Sequence, residues 1–414
     1  MSEITANHGK QRRNIWLSGW FVLAAAAAVL FALSMFLWES RLPTEIDLQI
    51  HASYSVDFDF TDLHSITSRI AYPLWHVLVA ILYQLGTPID WAGSIICTLF
   101  RTLTFVMTYR LLDRMSGGKI KTFWLALCTL LMFVVTGVNL PNDMGLSVYR
   151  FVNGSPNVWH NPTQQAVIST MMIVVPYLVW CWDSFEKKLP EGGDDTVLPW
   201  WQVFGLAALL ILNLMCKPTV MQAFLPATFL MYLVELCRRP RNWRYFGQIV
   251  LAFIPAVVCF LVQYLYYTGV VVPYTSGVEF GATAQTLWEA FRTMLMMNAF
   301  PLTALACCWH KGMFKDRHVL LAVLMVFISM LEVAFFRETG MRAGHGNFGW
   351  ATMSSSYFFW AVMLGKFAGM FKQQWKEAAL WRKVLVVVTV GILLWHVVST
   401  VEYIVFMLST GNAF

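Results

Sequence analysis

Charge is scarce in this sequence. Only 13% of its 414 residues are Asp, Glu, Lys or Arg, while 58% are hydrophobic, too few charges to cover a soluble domain of that length. Familiar signatures of soluble catalysis are missing as well: there is no Gly-rich phosphate loop opening a helix, no His-Glu-x-x-His and no Gly-x-Ser-x-Gly. The eight cysteines have neither disulfide-framework nor metal-ligand spacing and read as small packing residues. No internal repeat is visible, so the inverted halves of many transporters are not evident. No small-residue cleavage site follows the first apolar run, which is expected to stay as a membrane helix.

What is present is a series of apolar runs of roughly 18 to 25 residues, each long enough to cross a hydrocarbon core of about 30 Å as a helix. The expected fold is an all-α polytopic membrane protein, one transmembrane domain over residues 1–414, with about eleven transmembrane helices. The spans are expected at 16–38, 91–112, 123–138, 165–182, 200–216, 220–237, 245–267, 287–309, 319–336, 351–371 and 384–408. Residues 72–85 are apolar but too short to span, and read as an interfacial helix.

Basic residues orient this series. Lys10, Arg12 and Arg13 put the segment 1–14 in the cytoplasm, and Arg110, Arg114, Lys119 and Lys121 return there only if 72–85 does not cross. The loops 39–90, 139–163 and 337–350 and the C-terminus are then external, and 183–199 is a cytoplasmic connector. The net charge of +6 follows this alternation, so no nucleic-acid partner is expected. Six of the 29 Lys and Arg fall outside (Arg41, Arg69, Arg150, Lys217, Arg337 and Arg342), against the usual preference, and anionic ligand groups are one reason for them to be there.

The first external loop is rich in carboxylates. One held just above a bilayer can act as a general base toward a hydroxyl while nearby cations hold a departing phosphate, and Asp47 is the favoured base; a solvated acidic loop is the other reading. Arg69, Tyr72, His76, Val79 and Tyr83 follow helical spacing and could share one face, as an anion site or as an interface belt. In the second loop Asn157, Trp159, His160 and Asn161 have the composition of a sugar site, although Asn161-Pro162-Thr163 also suits a helix start. Lys217 stands at a turn with few polar neighbours and fits a phosphate or a snorkelling lysine. Arg342, His345 and Asn347 lie among glycines that could bring backbone N–H groups to an anion, or form a structural turn. Arg101, Glu289, Arg292, Glu332 and Glu402, in or near spans, read as interhelical ion pairs. A divalent cation, Mg or Mn, could be held by Asp47, Asp57 or Asp59, and nothing in the sequence requires one.

A cytoplasmic-to-external first helix, an acidic first loop, a basic residue and Tyr72-Pro73-Leu74-Trp75-His76 opening an interfacial helix together resemble the GT-C superfamily of integral membrane glycosyltransferases. The resemblance covers topology and few letters. There is no paired acid at Asp47, one proline stands where two are usual, and no soluble C-terminal domain is expected after the last span. It implies inverting transfer from a polyprenyl-phosphate-linked sugar to an extracytoplasmic glycan, lipid or cell-envelope acceptor, as in polysaccharide biosynthesis at a bacterial cell membrane. Asp47 would be the base, Arg69, His76, Lys217, Arg342 and His345 would hold phosphate, and Asn157, Trp159 and His160 would contact sugar. The competing expectation is a flippase or transporter of a lipid-linked or anionic substrate, with Arg101 and Glu332 along a midplane route; a membrane scaffold is a third.

Overall fold

The computed structural model describes residues 18–43, 46–67, 70–138, 157, 159–192, 196–267, 276–340, 347–374 and 379–410. Among these the chain is helical almost throughout, as backbone must be where lipid offers no hydrogen bonds. In order come α1 (Gly19–Glu39), α2 (Asp47–Val56), α3 (Leu63–Thr67), α4 (Leu74–Gln84), α5 (Ile89–Met115), α6 (Thr122–Val134) and α7 (Pro162–Gly192). Then follow α8 (Trp200–Cys216), α9 (Thr219–Arg238), α10 (Trp243–Tyr267), β1 (Ser276–Phe280), α11 (Ala284–Cys307), α12 (Arg317–Phe335), β2 (Phe336–Gly340), α13 (Asn347–Gln374) and α14 (Leu380–Thr410).

Among the described residues, helices α1, α5, α7, α9, α10, α12 and α14 are the seven long and apolar enough to cross a membrane, and the chain is an all-α, multi-pass membrane protein. Each of the eleven segments expected to span falls on a helix. The other four, α6, α8, α11 and α13, are too short or too polar for length and composition to place them across a bilayer. At 11 residues, α4 is about 16 Å long, roughly half of a hydrocarbon core.

Helix α13 lies at the centre, against α5, α7, α9, α11 and α12. Its approach to α5 is made by Gly365 and Gly369: a Cβ at 369 would stand 2.7 Å from the Ser116 Cα and one at 365 would stand 2.6 Å from the Met115 Cβ. Small residues four apart allow such backbone contact between membrane helices. In α11, Pro301 has no N–H to offer the carbonyl of Met297, and Asn298 leaves helical geometry (φ −118°, ψ 18°). The Trp360 indole N–H of α13 donates to that Met297 carbonyl at 2.7 Å, and Asn298 donates to Ser356 at 2.9 Å.

The end of α6 shows the same economy. The helix stops at Val134, not at residue 138 as expected, and its last carbonyls are met by side chains: Asn157 donates to Met132 (2.9 Å) and Val135 (2.7 Å), and Arg101 donates to Phe133. The extended residues that follow are paired in turn, with Thr136 between Thr400 and His396 of α14, and Val138 donating to the Met296 carbonyl at 3.1 Å.

Charged pairs gather at one end of the bundle. Arg114 meets Asp183 at 2.6 Å, Arg239 meets Glu186 at 3.6 Å, Arg317 meets Glu235 at 2.6 Å and Lys366 meets Asp316 at 2.5 Å. They join the ends of α5, α7, α9, α12 and α13 whose loops carry most of the basic residues. Residues 183–192, expected to be part of a polar connector, continue α7 instead, held by these pairs.

At the other end two expected loops pair into a sheet: β1 and β2 run antiparallel with Gly277 opposite Thr339, Val278 opposite Glu338 and Glu279 opposite Arg337. Of the expected loop 337–350, residues 337–340 therefore belong to β2 and 347–350 to α13; neither segment has the alternation that would have marked it. Arg101 forms no ion pair among the described residues. Its guanidinium lies over the rings of Phe133 (4.7 Å) and Trp159 (4.4 Å) and bonds Asn157, which corrects the expectation of an interhelical ion pair there.

Candidate functional site

The site forms where four helix ends meet, opposite the charged end. Asp47 occupies the first turn of α2, where a carboxylate suits the partial positive charge of a helix N-terminus. Gln49 fixes that start: its side-chain oxygen accepts from the Ile46 N–H at 3.1 Å, and its amide donates to the carbonyls of Ser40 (3.1 Å) and Leu42 (2.9 Å) just past α1.

Asn161 is the hub. Its side-chain oxygen accepts from the Gln164 N–H at 2.9 Å and from the Thr163 hydroxyl at 2.9 Å, so it caps α7, with Pro162 at the first helical position where its missing N–H costs nothing. Its amide nitrogen donates to Asp47 Oδ2 at 2.8 Å, and Lys217 Nζ donates to its oxygen at 3.3 Å. Carboxylate and ammonium are thus bridged by one side chain. Lys217 reaches this point because α8 ends there in extended backbone before Pro218 starts the turn into α9. Its ammonium lies 4.1 Å from the centre of the Trp350 ring, a cation–π contact. His160 lies tilted by 52° to the same ring at 5.7 Å and brings Nε2 to 3.8 Å from Asp47 Oδ2.

The electrostatics follow from burial. Lys217 is only 4% exposed, and among the described residues no carboxylate lies within ion-pair distance of it. Burial pushes its ammonium down to about 7, against the pull of Asp47 and Glu338. Burial likewise pushes His51 and His160 down to about 4, with Asp47 opposing the shift and Lys217 reinforcing it. His51 Nδ1 and His76 Nε2 are 2.8 Å apart, a hydrogen bond that needs one neutral ring at least, and burial beside His51 holds His76 well below the usual imidazole range.

Lys217 also lines a cavity of ≈ 470 Å³ between α9, α10, α12 and the β1–β2 pair. Its lining includes Lys217 and Glu338, the polar Gln222, Gln263 and Glu332, and the apolar Leu225 and Phe260. A buried cation on a mostly apolar lining suits an amphiphile with an anionic head.

Of the residues predicted from sequence, Asp47, His160, Asn161 and Lys217 converge, and Tyr72 lines the cavity. His76 does not reach the site: it is fully buried in the pair with His51. The expected stripe on α4 is also broken, since the buried face is Trp75, His76, Val79 and Ala80 while Tyr83 is exposed. Asn157 and Trp159 are enclosed and act on protein, Asn157 at the end of α6 and Trp159 packed on Phe31, Phe36 and Phe133. A sugar would find no open face there. Arg69, Arg342 and His345 lie outside the described residues; Asn347 opens α13. Arg41 has a protein partner, Asp90 at 2.9 Å, and Arg337 stands opposite Glu279 in the β1–β2 register. Trp350, Gln222, Gln263 and Glu338 were missed. For the two glutamines the available signal was an amide one turn inside an apolar run. Among the described residues no three of His, Cys, Asp and Glu gather as a metal-binding group.

No protein-family model matches the chain, and no curated protein matches it.

Proposed function

We propose that the chain is an integral membrane glycosyltransferase of GT-C-like architecture that moves a sugar from a polyprenyl-phosphate-linked donor to an acceptor outside the cytoplasm. All eleven predicted helices cross the bilayer in this reading, α4 lies along its outer surface, and the charged end of the bundle faces the cytoplasm of a bacterial cell. The observation that carries the proposal is the Asp47–Asn161–Lys217 bridge, whose lysine also lines an apolar cavity.

Asp47 takes the proton of an acceptor hydroxyl, the resulting oxygen attacks the anomeric carbon, and the carbon–oxygen bond to phosphate breaks with inversion. The departing phosphate keeps the bonding electrons, and the Lys217 ammonium holds its charge. Asn161 sets the spacing between base and cation, and the cavity wall accepts lipid. This site uses Asp47 and Lys217, with Tyr72 and His160 adjoining; it omits Asn157, Trp159 and His76.

The test is transfer by the purified full chain in vesicles supplied with a radiolabelled polyprenyl-phosphate sugar. Asp47→Asn is expected to lose about 10²-fold or more of the rate while folding normally. Full activity in that variant overturns the assignment of the base. Movement of label across the bilayer with no new glycoside replaces this reading with the transporter.

A further inference from the structure

A buried ammonium is ordinarily met by a carboxylate. Lys217 is met instead by the face of Trp350, whose ring centre lies 4.1 Å from Nζ, and by the Asn161 side-chain oxygen at 3.3 Å. Trp350 is itself buried, and α7 holds it in place. The Gln164 amide nitrogen donates to the Trp350 carbonyl at 3.0 Å and to the Ser354 hydroxyl at 2.6 Å, and the Gln164 amide oxygen accepts from the Thr219 hydroxyl at 3.3 Å. A backbone carbonyl can only accept, so this amide has one orientation. The Gln164 backbone N–H meanwhile donates to the Asn161 oxygen at 2.9 Å. One residue of α7 therefore fixes both partners of the ammonium, the ring and the amide oxygen, and also the start of α9 two residues past Lys217.

A ring and a carboxylate do different things to a cation. A carboxylate in contact would neutralise the ammonium, and an arriving phosphate would have to displace it. The negative face of an indole stabilises the charge without neutralising it. We propose that Trp350 is a positioning residue for phosphate binding: its ring stands where a counter-ion would, steadying Lys217 as an ammonium and leaving the N–H groups not spent on Asn161 to an anionic ligand. The phosphate part of this rests on the role given to Lys217 above. Of the other groups around the ammonium, Asp47 on α2 and Glu338 on β2 favour its charge, and His51 and His160, pushed down to about 4 by burial, stay neutral above pH 6. Glu332 of α12 and the phenols of Tyr72 and Tyr264 line the same cavity.

Two measurements on the purified full chain separate this role from packing. Trace acetylation with acetic anhydride across pH 5 to 10, read at Lys217 by mass spectrometry, gives the pH at which the amine is half deprotonated with no ligand present. In Trp350→Leu that half-point is expected to fall by about one pH unit, and in Trp350→Phe, which keeps a weaker π face, by less. Trp350→Phe alone, with a smaller fall, serves if the leucine variant does not fold. The fall is expected to persist in a Glu332→Gln background; if it vanishes there it belongs to Glu332, and the proposal is overturned. Binding of farnesyl phosphate, by native mass spectrometry, is expected to weaken in Trp350→Leu by about twofold at pH 6 and about tenfold at pH 8, a widening gap that lost packing would not produce. An unchanged or raised half-point, or equal shifts in the leucine and phenylalanine variants, makes Trp350 a packing residue and overturns the inference while leaving the proposed function standing. A half-point that falls while farnesyl phosphate affinity does not follow shows that Lys217 holds no phosphate; that outcome defeats the role given to Lys217 above, and the positioning role of Trp350 falls with it.

Discussion

Lys217 is buried with no carboxylate in direct contact among the described residues, and its proton is correspondingly loosely held. With the ammonium pushed down to about 7, an anionic ligand must draw a proton onto it to gain the ion pair. Affinity for an anionic lipid is therefore expected to be greatest below about pH 7 and to fall as pH rises above it, by at most tenfold per unit. Lys217→Arg, whose charge does not titrate in this range, should flatten the profile; a wild-type profile already flat from pH 6 to 9 would contradict the assignment. His51 and His160 act in the opposite sense on stability. Their imidazoles sit near 4 in the fold and near 6.5 when unfolded, so the unfolded chain binds more protons between those values. Their contribution is complete above about 6.5 and is lost as pH falls toward 4. Thermal unfolding in detergent should show Tm falling across that interval, less steeply in His160→Gln. Asp47, Asn161 and Lys217 were legible in the sequence because polar groups set against apolar runs need a reason. Asn157 and Trp159 looked equally eligible, yet they serve a buried arginine and a helix end, and residue type alone does not distinguish a ligand's partners from the protein's own.

At the level of elements, two contacts of α13 are sharp enough to test. Gly369 leaves no room for a Cβ against the Ser116 backbone, so Gly369→Ala should force α13 from α5 and cost about 1–3 kcal/mol, read as a lowered Tm. Gly391 of α14, where a Cβ meets nothing within 4 Å, supplies the control, with Gly391→Ala expected to be neutral or stabilising. Trp360→Phe keeps most of the ring but orphans the Met297 carbonyl freed by Pro301, with an expected loss of about 1–3 kcal/mol. The helices themselves were readable from apolar length. Their interruptions were not: the stop of α6 at Val134 and the β1–β2 pair depend on partners distant in sequence, such as Thr400 for Thr136 and Arg337 for Glu279, and no local pattern encodes them.

For the whole molecule, four ion pairs lie together at one end of the bundle and the Asp47–Lys217 site lies at the other. In the proposed orientation Cys237, exposed beside Arg238, reacts with a membrane-impermeant maleimide only from the cytoplasmic side, whereas an Asp57→Cys variant reacts only from outside. Labelling of both from one side would break the eleven-span arrangement. The arrangement of Asn161 has a further consequence when the chain is viewed in its order of synthesis. Asp47 emerges first, its amide partner follows 114 residues later, and Lys217 another 56 residues after that. A nascent chain ending before residue 217 would hold the carboxylate and the cap of α7 with no ammonium beside them, so competence to hold an anion arrives late, with the turn between α8 and α9.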